Sequence, residues 1–306
     1  MDHDFLSGAP SSKSCPLAPT ELTTIASVSP RPWRSMSRHA ASSVLRRGPR
    51  TVITTNESMR LGNLLYLWLR AHASQAEGRD VRVQHNAASN AWLPILGPEL
   101  EQLTLVRDGA RLWDRLEDPP PEHFQVFGRD FSPEQLRAFI REVVLSQTFC
   151  SYLPRRADDA LTINVRRGDY YSVPEYRARY GFEVQAYLRS ALVEASHEGS
   201  IGIIHVVSDD PEWCHSNLGW MWDFAPVVAE PMNAVSNLAA LGASPRLILA
   251  NSTFSYWGGY LSGVIHERTE GKSSVWVPDL HVRDINAGHA WQIDPCWRAV
   301  PSSWAS

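Results

Sequence analysis

The amino-acid sequence contains three polar segments that each follow a short apolar run, and their side chains are suited to binding an anion. The first segment follows residues 161–165 and contains Arg166, Arg167, Gly168 and Asp169. Guanidinium groups bind phosphate oxygens in a bidentate way, and glycine allows the backbone to turn sharply beside a ligand. If the preceding strand continues, the two arginine side chains point in opposite directions, so we expect one of them to face a cleft.

The second segment follows residues 201–207 and contains a pair of aspartates. Asp210 precedes Pro211, a pattern typical of the start of a helix, and this leaves Asp209 as the freer carboxylate. A carboxylate accepts two parallel hydrogen bonds, which matches the N1–H and N2–H₂ edge of guanine. The two aspartates are adjacent and do not form a D-x-D motif, so we infer no metal ion.

The third segment follows residues 246–250 and combines hydroxyl groups with the predicted start of a helix. The N-terminus of a helix binds anions because its first N–H groups have no partner and the helix dipole is positive there. The same hydroxyls could instead only cap the helix. With an arginine pair at another strand end, we expect Arg166 and Ser252 to converge on one pyrophosphate. The segment comprises Asn251, Ser252, Thr253, Phe254 and Ser255.

Apolar strands and amphipathic helices alternate along the chain and would position these segments. This alternation indicates an α/β fold with parallel sheets, whose ligands bind beyond the carboxyl ends of the strands. Residues 114–131 contain three consecutive prolines and are predicted to be a loop or linker. Ser132, Pro133 and Gln135 have the pattern of a helix capping box. Strands are predicted at residues 51–54, 81–83, 161–165, 201–207, 226–228, 246–250 and 274–277, and helices at residues 61–73, 132–144, 184–192, 234–241 and 254–261.

The composition is that of a globular protein of 306 residues, which is large enough for two domains. A formal net charge of −4 argues against a dedicated nucleic-acid-binding protein. The contents of 43% hydrophobic and 20% charged residues exclude a wholly disordered chain. The four cysteines form no C-x-x-C pair, which argues against a zinc ribbon and against a disulfide scaffold.

Residues 1–50 are rich in Ser, Pro and Ala and become basic towards Arg50, which predicts a disordered basic arm. The arm could contact anionic lipid or a partner protein, or it could be dispensable. The sequence has neither a secretory signal pattern nor a run of about 18 apolar residues. We therefore expect a cytoplasmic protein and leave open a peripheral membrane contact through the arm.

The three polar segments resemble, in this order, motifs of the α-1,2-fucosyltransferases, glycosyltransferase family 11. The family patterns are H-x-R-R-G-D-Y, S-D-D-x-x-W-C and N-S-T-F-S-W-W-G. This chain has NVRRGDY at 164–170, SDDPEWC at 208–214 and NSTFSYWG at 251–258. A fourth segment, RLGN at 60–63, resembles the family's G-x-G-N segment.

This resemblance implies a GT-B-like α/β fold with two Rossmann-like domains and a nucleotide-sugar cleft between them. Residues 51–158 would form the acceptor-side α/β domain, and residues 159–306 would form the GDP-fucose-binding domain. The implied reaction is the inverting transfer of L-fucose from GDP-fucose to a hydroxyl group of a galactose-terminated glycan. No metal ion or other cofactor is implied.

The resemblance also implies roles for the motif residues. Arg166, with Ser252 and Thr253, would hold the negative charge that develops on the β-phosphate. Asp169 would be either the base that removes the acceptor's proton or a structural partner of an arginine. The other donor-binding candidates are Arg167, Gly168, Asp209, Asp210, Asn251, Phe254 and Ser255. The acceptor side of the cleft would contain Gly62, Asn63, Asn164 and Tyr170.

Two alternatives remain open at the level of the sequence. One is a fucosyltransferase of the same fold that makes another acceptor linkage. The other is a non-catalytic relative that binds a sugar nucleotide or a glycan, because Asn164 replaces a histidine that lies beside donor and acceptor in the family. The chain also has Arg60, Leu64 and Tyr256 where the family has Gly, Gln and Trp. Neither a P-loop nor a dinucleotide-binding glycine motif occurs at a strand end, which argues against those enzyme classes.

Overall fold

The computed structural model describes residues 50–105, 112–231, 233–267 and 274–305. The predicted arm at residues 1–50 lies outside the described residues, except for Arg50. The strands are β1 (Thr51–Ile53), β2 (Val81–Gln84), β3 (Thr104–Leu105), β4 (Arg115–Glu117), β5 (Ala160–Val165), β6 (Ile203–Ser208), β7 (Val227–Ala229), β8 (Arg246–Ile248), β9 (Val275–Pro278) and β10 (Arg298–Val300). The α-helices are α1 (Leu61–Ala76), α2 (Ser89–Leu96), α3 (Pro98–Leu103), α4 (Pro133–Phe139), α5 (Gln147–Cys150), α6 (Gly168–Ser172), α7 (Pro174–Tyr180), α8 (Val184–Glu198), α9 (Pro211–Asn217), α10 (Ala234–Gly242) and α11 (Thr253–Ile265).

The first sheet contains four parallel strands in the order β3-β2-β1-β4. The predicted strands at 51–54 and 81–83 are confirmed as β1 and β2. The prediction of a loop across residues 114–131 is wrong at β4, which pairs with β1 in the register Thr51 to Arg115. The β4 residues Arg-Leu-Glu form a largely exposed edge strand, so they lack the apolar run that marks a buried strand.

The second sheet contains six parallel strands in the order β10-β9-β8-β5-β6-β7. All six residues of β5 are buried, as expected for a strand inside a parallel sheet that is covered on both faces. The predicted strands between residues 161 and 277 are confirmed as β5 to β9. Strand β10 has no counterpart among the predicted elements, because its three residues Arg-Ala-Val form no distinctive apolar pattern.

The two parallel sheets, each interleaved with helices, confirm the predicted α/β class and its GT-B-like organisation into two halves. The division at residues 158 and 159 into an acceptor-side and a donor-side domain stays a prediction. The helix predicted from residue 132 begins with the expected capping box, in which Ser132 and Gln135 bond each other's backbone N–H groups. Within the described ranges, no helix combines the length and apolarity needed to cross a bilayer.

Helix α1 of the first half packs directly against α11 of the second half. Trp257 Nε1 donates a hydrogen bond to the carbonyl oxygen of Gly62 at 3.0 Å, and the hydroxyls of Tyr66 and Tyr260 lie 3.2 Å apart. A Cβ atom at Gly62 would lie 2.6 Å from the backbone nitrogen of Phe254, which is too close for two nonbonded atoms. A glycine is therefore required where the two helices meet, and one buried core extends across both halves.

We predict that Gly62→Ala destabilises the protein. The new methyl group would collide with the backbone of α11, so the helices must separate, and overpacking of this kind costs about 1–3 kcal/mol. The measurement is the free energy of unfolding from urea titration.

Gly263→Ala is the matched control, because Gly263 lies in the same helix α11 and a Cβ there meets no atom within 4 Å. Alanine should leave stability unchanged or raise it by about 0.5–1 kcal/mol through helix propensity. Equal unfolding free energies for Gly62→Ala and the wild type would contradict the close approach of the two helices.

Candidate functional site

The carboxyl ends of β8, β5 and β6 lie side by side at one edge of the second sheet, because β5 pairs with both of the other strands. Each of the three polar segments follows one of these strands. Arg166 follows β5, Asp209 follows β6, and Ser252 lies between β8 and α11. The structure therefore places the segments that contain Arg166 and Ser252 at the same edge of one sheet.

Arg166 lies between two carboxylates at this edge. Its Nη1 donates to Asp209 Oδ2 in a short contact, and its Nη2 donates to Asp169 Oδ1 at 2.5 Å. The guanidinium carbon also lies 4.9 Å from the ring centre of Tyr170. Burial opposes the charge of Arg166, but the neighbouring carboxylates, Asp209 foremost, outweigh it and raise the pKa of the guanidinium. Arg166 is therefore a fixed positive charge.

Asp209 uses both of its oxygens within the protein, so the prediction that it is the freer of the two aspartates is wrong. One oxygen accepts from Arg166, and the other accepts from the backbone N–H of Arg167 at 2.8 Å. The turn after β5 presents both donors to the same carboxylate. A Cβ at Gly168 would collide with Asp209 Oδ2, so the absence of a side chain at residue 168 makes this contact possible.

Arg167 points away from Arg166 and is held by other groups. Its guanidinium lies 4.0 Å from the ring centres of both Tyr171 and Trp213, and its Nε donates to Asp210 at 3.3 Å. Asp210 caps α9 by accepting from the backbone N–H of Trp213 at 3.1 Å. The side chains of Arg167 and Asp210, which were candidates for donor binding, therefore join α6 to α9.

A chain of buried hydrogen bonds runs beneath the edge and links β6, β5 and the start of α11. Asn164 Nδ2 donates to the carbonyl oxygen of Val207 at 3.0 Å, and Asn164 Oδ1 accepts a short hydrogen bond from Ser255 Oγ. Ser255 Oγ also accepts from the backbone N–H of Ala250 at 2.9 Å, and Ser252 Oγ caps the helix at the N–H of Ser255. Asn164, Ser252 and Ser255 are buried and hydrogen-bonded within the protein, and their predicted roles at the cleft and the donor stay predictions.

Asn251 is also buried and serves as a connection between segments. Its Nδ2 donates to the carbonyl oxygens of Tyr180 at 2.9 Å and His281 at 3.2 Å. Its predicted contact with a donor stays a prediction. Thr253 and Phe254, in the first turn of α11, remain partly exposed, and their backbone N–H groups have no acceptor among the described residues.

A cavity of about 110 Å³ lies between residues of the first half and residues that follow the strands of the second sheet. Three predicted site residues, Asn63, Tyr170 and Thr253, line it. Gly62 lies next to Asn63 and packs against Thr253. The cavity is also lined by Met59, Leu67, Pro119, Pro120, Glu122, Phe124, Gln125, Tyr180 and His281.

Sequence analysis did not identify His281, Tyr180 or Glu122 as site residues. His281 follows the carboxyl end of β9, so the rule that ligands bind beyond strand ends could have found it. Its Nδ1 lies 3.0 Å from the hydroxyl of Tyr256, and burial lowers its pKa to about 3. Tyr180 stacks on Tyr170 with ring centres 4.4 Å apart, and no sequence pattern signals that contact.

No group of three or more His, Cys, Asp or Glu side chains is arranged to hold a metal ion in the part of the chain that the structure describes.

Comparison with known proteins shows similarity to one family. Residues 123–266 match the family model described as Glycosyl transferase family 11. The resemblance to glycosyl transferase family 11 is confirmed. The matched range includes all three strand-end segments and ends within one residue of the last residue of α11.

Individual proteins that are similar in sequence carry the name of a fucosyltransferase. Galactoside alpha-(1,2)-fucosyltransferase 1 of Lagothrix lagotricha is 28% identical over 240 residues, which are 67% of this chain and 63% of the relative. The Homo sapiens protein of the same name is 30% identical over 105 residues, which are 33% of this chain and 28% of that relative. This chain thus matches less than two thirds of the length of either relative.

A mutant of Arabidopsis thaliana FUT1 in complex with GDP superposes with a TM-score of 0.43 at 13% identity, covering 76% of this chain and 73% of that one.

We predict that His281 makes stability fall as the pH falls from about 6.5 to about 3. The folded imidazole has a lowered pKa and stays neutral in this range, whereas the imidazole of the unfolded chain takes up a proton below 6.5. The unfolded state therefore binds more protons, and one such group contributes a slope of up to about 1.4 kcal/mol per pH unit. His281→Gln should make the measured dependence of the unfolding free energy on pH shallower across this window.

His289→Gln serves as the control for this measurement, because the His289 side chain is exposed. This variant should keep the slope of the wild type. If His281→Gln and His289→Gln gave the same slope, His281 would not be the buried neutral group that the structure shows.

Proposed function

We propose that this protein is an inverting α-1,2-fucosyltransferase that transfers L-fucose from GDP-fucose to a galactose hydroxyl of a glycan without a metal ion. The observation that carries the proposal is the position of Arg166. It is a fixed positive charge at one edge of the second sheet, and the N-terminus of α11 lies at the same edge. The family 11 match and the names of the relatives support fucose as the sugar and galactose as the acceptor.

The donor side of the proposed reaction must stabilise charge. As the bond between fucose and GDP breaks, negative charge develops on the β-phosphate, and fixed donors aimed at such charge lower the barrier. The guanidinium of Arg166 has five N–H groups and donates one hydrogen bond to each of two carboxylates. The remaining N–H groups can donate to a phosphate. The N-terminus of the 13-residue helix α11 adds the positive end of a helix dipole.

Thr253 takes the role that sequence analysis gave to the Ser252–Thr253 pair. The Thr253 side chain lines the cavity, whereas the Ser252 hydroxyl is used to cap α11. Ser252 therefore supports the proposed phosphate site by fixing the helix start. Thr253 and the first-turn N–H groups would contact the phosphate directly.

The acceptor side of the proposed site uses residues of both halves. Asn63 lies in the first turn of α1 and provides an amide at the cavity, and the stacked rings of Tyr170 and Tyr180 form an aromatic wall. Aromatic faces pack well against the C–H faces of sugars. Asp209 positions Arg166 in this proposal, because its two oxygens accept hydrogen bonds from the Arg166 guanidinium and from the backbone N–H of Arg167.

Asn164 is compatible with activity in this proposal, although the family has a histidine there. Its amide donates to β6 and accepts from Ser255, so it acts by positioning the start of α11. The alternative of a non-catalytic relative is tested by the transfer assay below. A different acceptor linkage is decided by the product analysis below.

The test is incubation of the protein with GDP-fucose and a panel of β-galactosides in the presence of EDTA. We expect release of GDP and a product that carries fucose α-linked to the galactose 2-hydroxyl, identified by NMR. Binding of GDP-fucose without GDP release would contradict transfer and favour a binding protein. A product with another linkage would favour the alternative fucosyltransferase.

We predict that Arg166→Ala lowers kcat by about 10²–10³-fold, because removal of a fixed donor to a developing oxyanion typically has this effect. The measurement is GDP release under saturating GDP-fucose and acceptor. Arg155→Ala is the control, because Arg155 is an exposed arginine ahead of β5 and should leave kcat unchanged. Unchanged turnover in Arg166→Ala would remove Arg166 from the proposed role.

A further inference from the structure

The cavity between the two halves contains one carboxylate among its described lining residues, and that carboxylate is Glu122. Transfer of a sugar to a hydroxyl group releases a proton, and a positioned carboxylate is a common acceptor for it. The remaining lining residues offer amide, hydroxyl, phenol, imidazole or apolar groups. Glu122 is therefore the acidic side chain that a ligand in this cavity would meet.

Asp169, the base candidate from sequence analysis, does not line the cavity, whereas Glu122 does. One of the Asp169 oxygens accepts from Arg166 Nη2 at 2.5 Å. Removal of its charge would also disturb Arg166. The geometry therefore favours the second interpretation of Asp169, that of a structural partner of an arginine.

The other titratable groups of the cavity are poor proton acceptors. Burial lowers the pKa of His281 to about 3, and its Nδ1 is bonded to the Tyr256 hydroxyl. Burial raises the pKa of both Tyr170 and Tyr180, so the two phenols keep their protons.

The local structure holds Glu122 at the rim of the cavity. It begins a short 3₁₀ helix, Glu122–Phe124, directly after three prolines whose fixed φ angles restrict the backbone. Its Oε2 accepts from Arg179 Nη2 at 3.3 Å, and Arg179 Nε donates separately to Asp284 at 3.1 Å. Arg179 thus orients the Glu122 carboxylate while Asp284 keeps Arg179 in place. The Glu122 side chain is 58% exposed, so it is accessible to a ligand.

We propose that Glu122 is the general base of the reaction, an inference that rests on the proposed function. The Glu122 carboxylate takes the proton of the acceptor hydroxyl as that oxygen forms a bond to the anomeric carbon of fucose. The bond from this carbon to the β-phosphate oxygen breaks, and its electron pair leaves with GDP. The proton on Glu122 then passes to water, which restores the carboxylate.

The experiment compares wild type, Glu122→Gln, Glu122→Ala and Glu194→Gln. We expect Glu122→Gln to lower kcat by about 10²-fold or more, because a general base commonly contributes 10²–10⁴. The dissociation constant for GDP should stay within about twofold, because Glu122 acts on the chemical step and not on donor binding. Formate should restore turnover to Glu122→Ala, because it places a carboxylate in the space left by the side chain.

Glu194→Gln is the matched control. Glu194 is an exposed glutamate of α8 and does not line the cavity, so the same substitution there should leave kcat close to that of the wild type.

The outcomes separate this inference from the proposed function. A wild-type chain that binds GDP-fucose but forms no product contradicts the proposed function itself. Wild-type transfer together with undiminished kcat in Glu122→Gln overturns the role of Glu122 alone. Loss of both GDP binding and turnover in Glu122→Gln, with no formate rescue of Glu122→Ala, would indicate a structural role and also overturn the inference.

Discussion

The Asp209 carboxylate is the point on which the geometry of the site depends. It accepts hydrogen bonds from the Arg166 guanidinium and from the backbone N–H of Arg167, so the turn after β5 is tied to the end of β6. The space for this contact exists because residue 168 is a glycine. A half-buried guanidinium would be costly without such a partner. Asp209 therefore both positions Arg166 and stabilises its positive charge.

The fold could be predicted from the sequence to the extent that its strands contain apolar runs. Strands β5, β6 and β8 carry apolar runs because parallel strands inside a covered sheet exclude water on both faces. Strands β3, β4 and β10 have two or three residues, and each pairs with one neighbour at the edge of its sheet. Such strands are specified by tertiary contacts and leave no periodic signal in their own residues.

The site could be predicted as a set of segments but not as a set of exposed groups. Residue types and spacing placed the arginines, the aspartates and the hydroxyl segment at strand ends, and the sheet order brings those ends together. The sequence does not reveal which polar groups are satisfied by the protein itself. Asn164 and Ser255 are hydrogen-bonded to each other beneath the edge, and Asn251 donates to two backbone carbonyls. Glu122 belongs to the segment between β4 and α4, far along the chain from the strand-end segments. No local sequence pattern places it at the cavity.

The packing of α1 on α11 also constrains how the cleft can open. Hinge bending between two halves requires the packed faces at their junction to separate or slide. Here that junction is buried, carries the Trp257–Gly62 hydrogen bond and places Gly62 against the first turn of α11. A clamshell motion would expose aromatic rings from both helices to water. The packed junction therefore opposes a clamshell motion and keeps the shape of the base of the cleft.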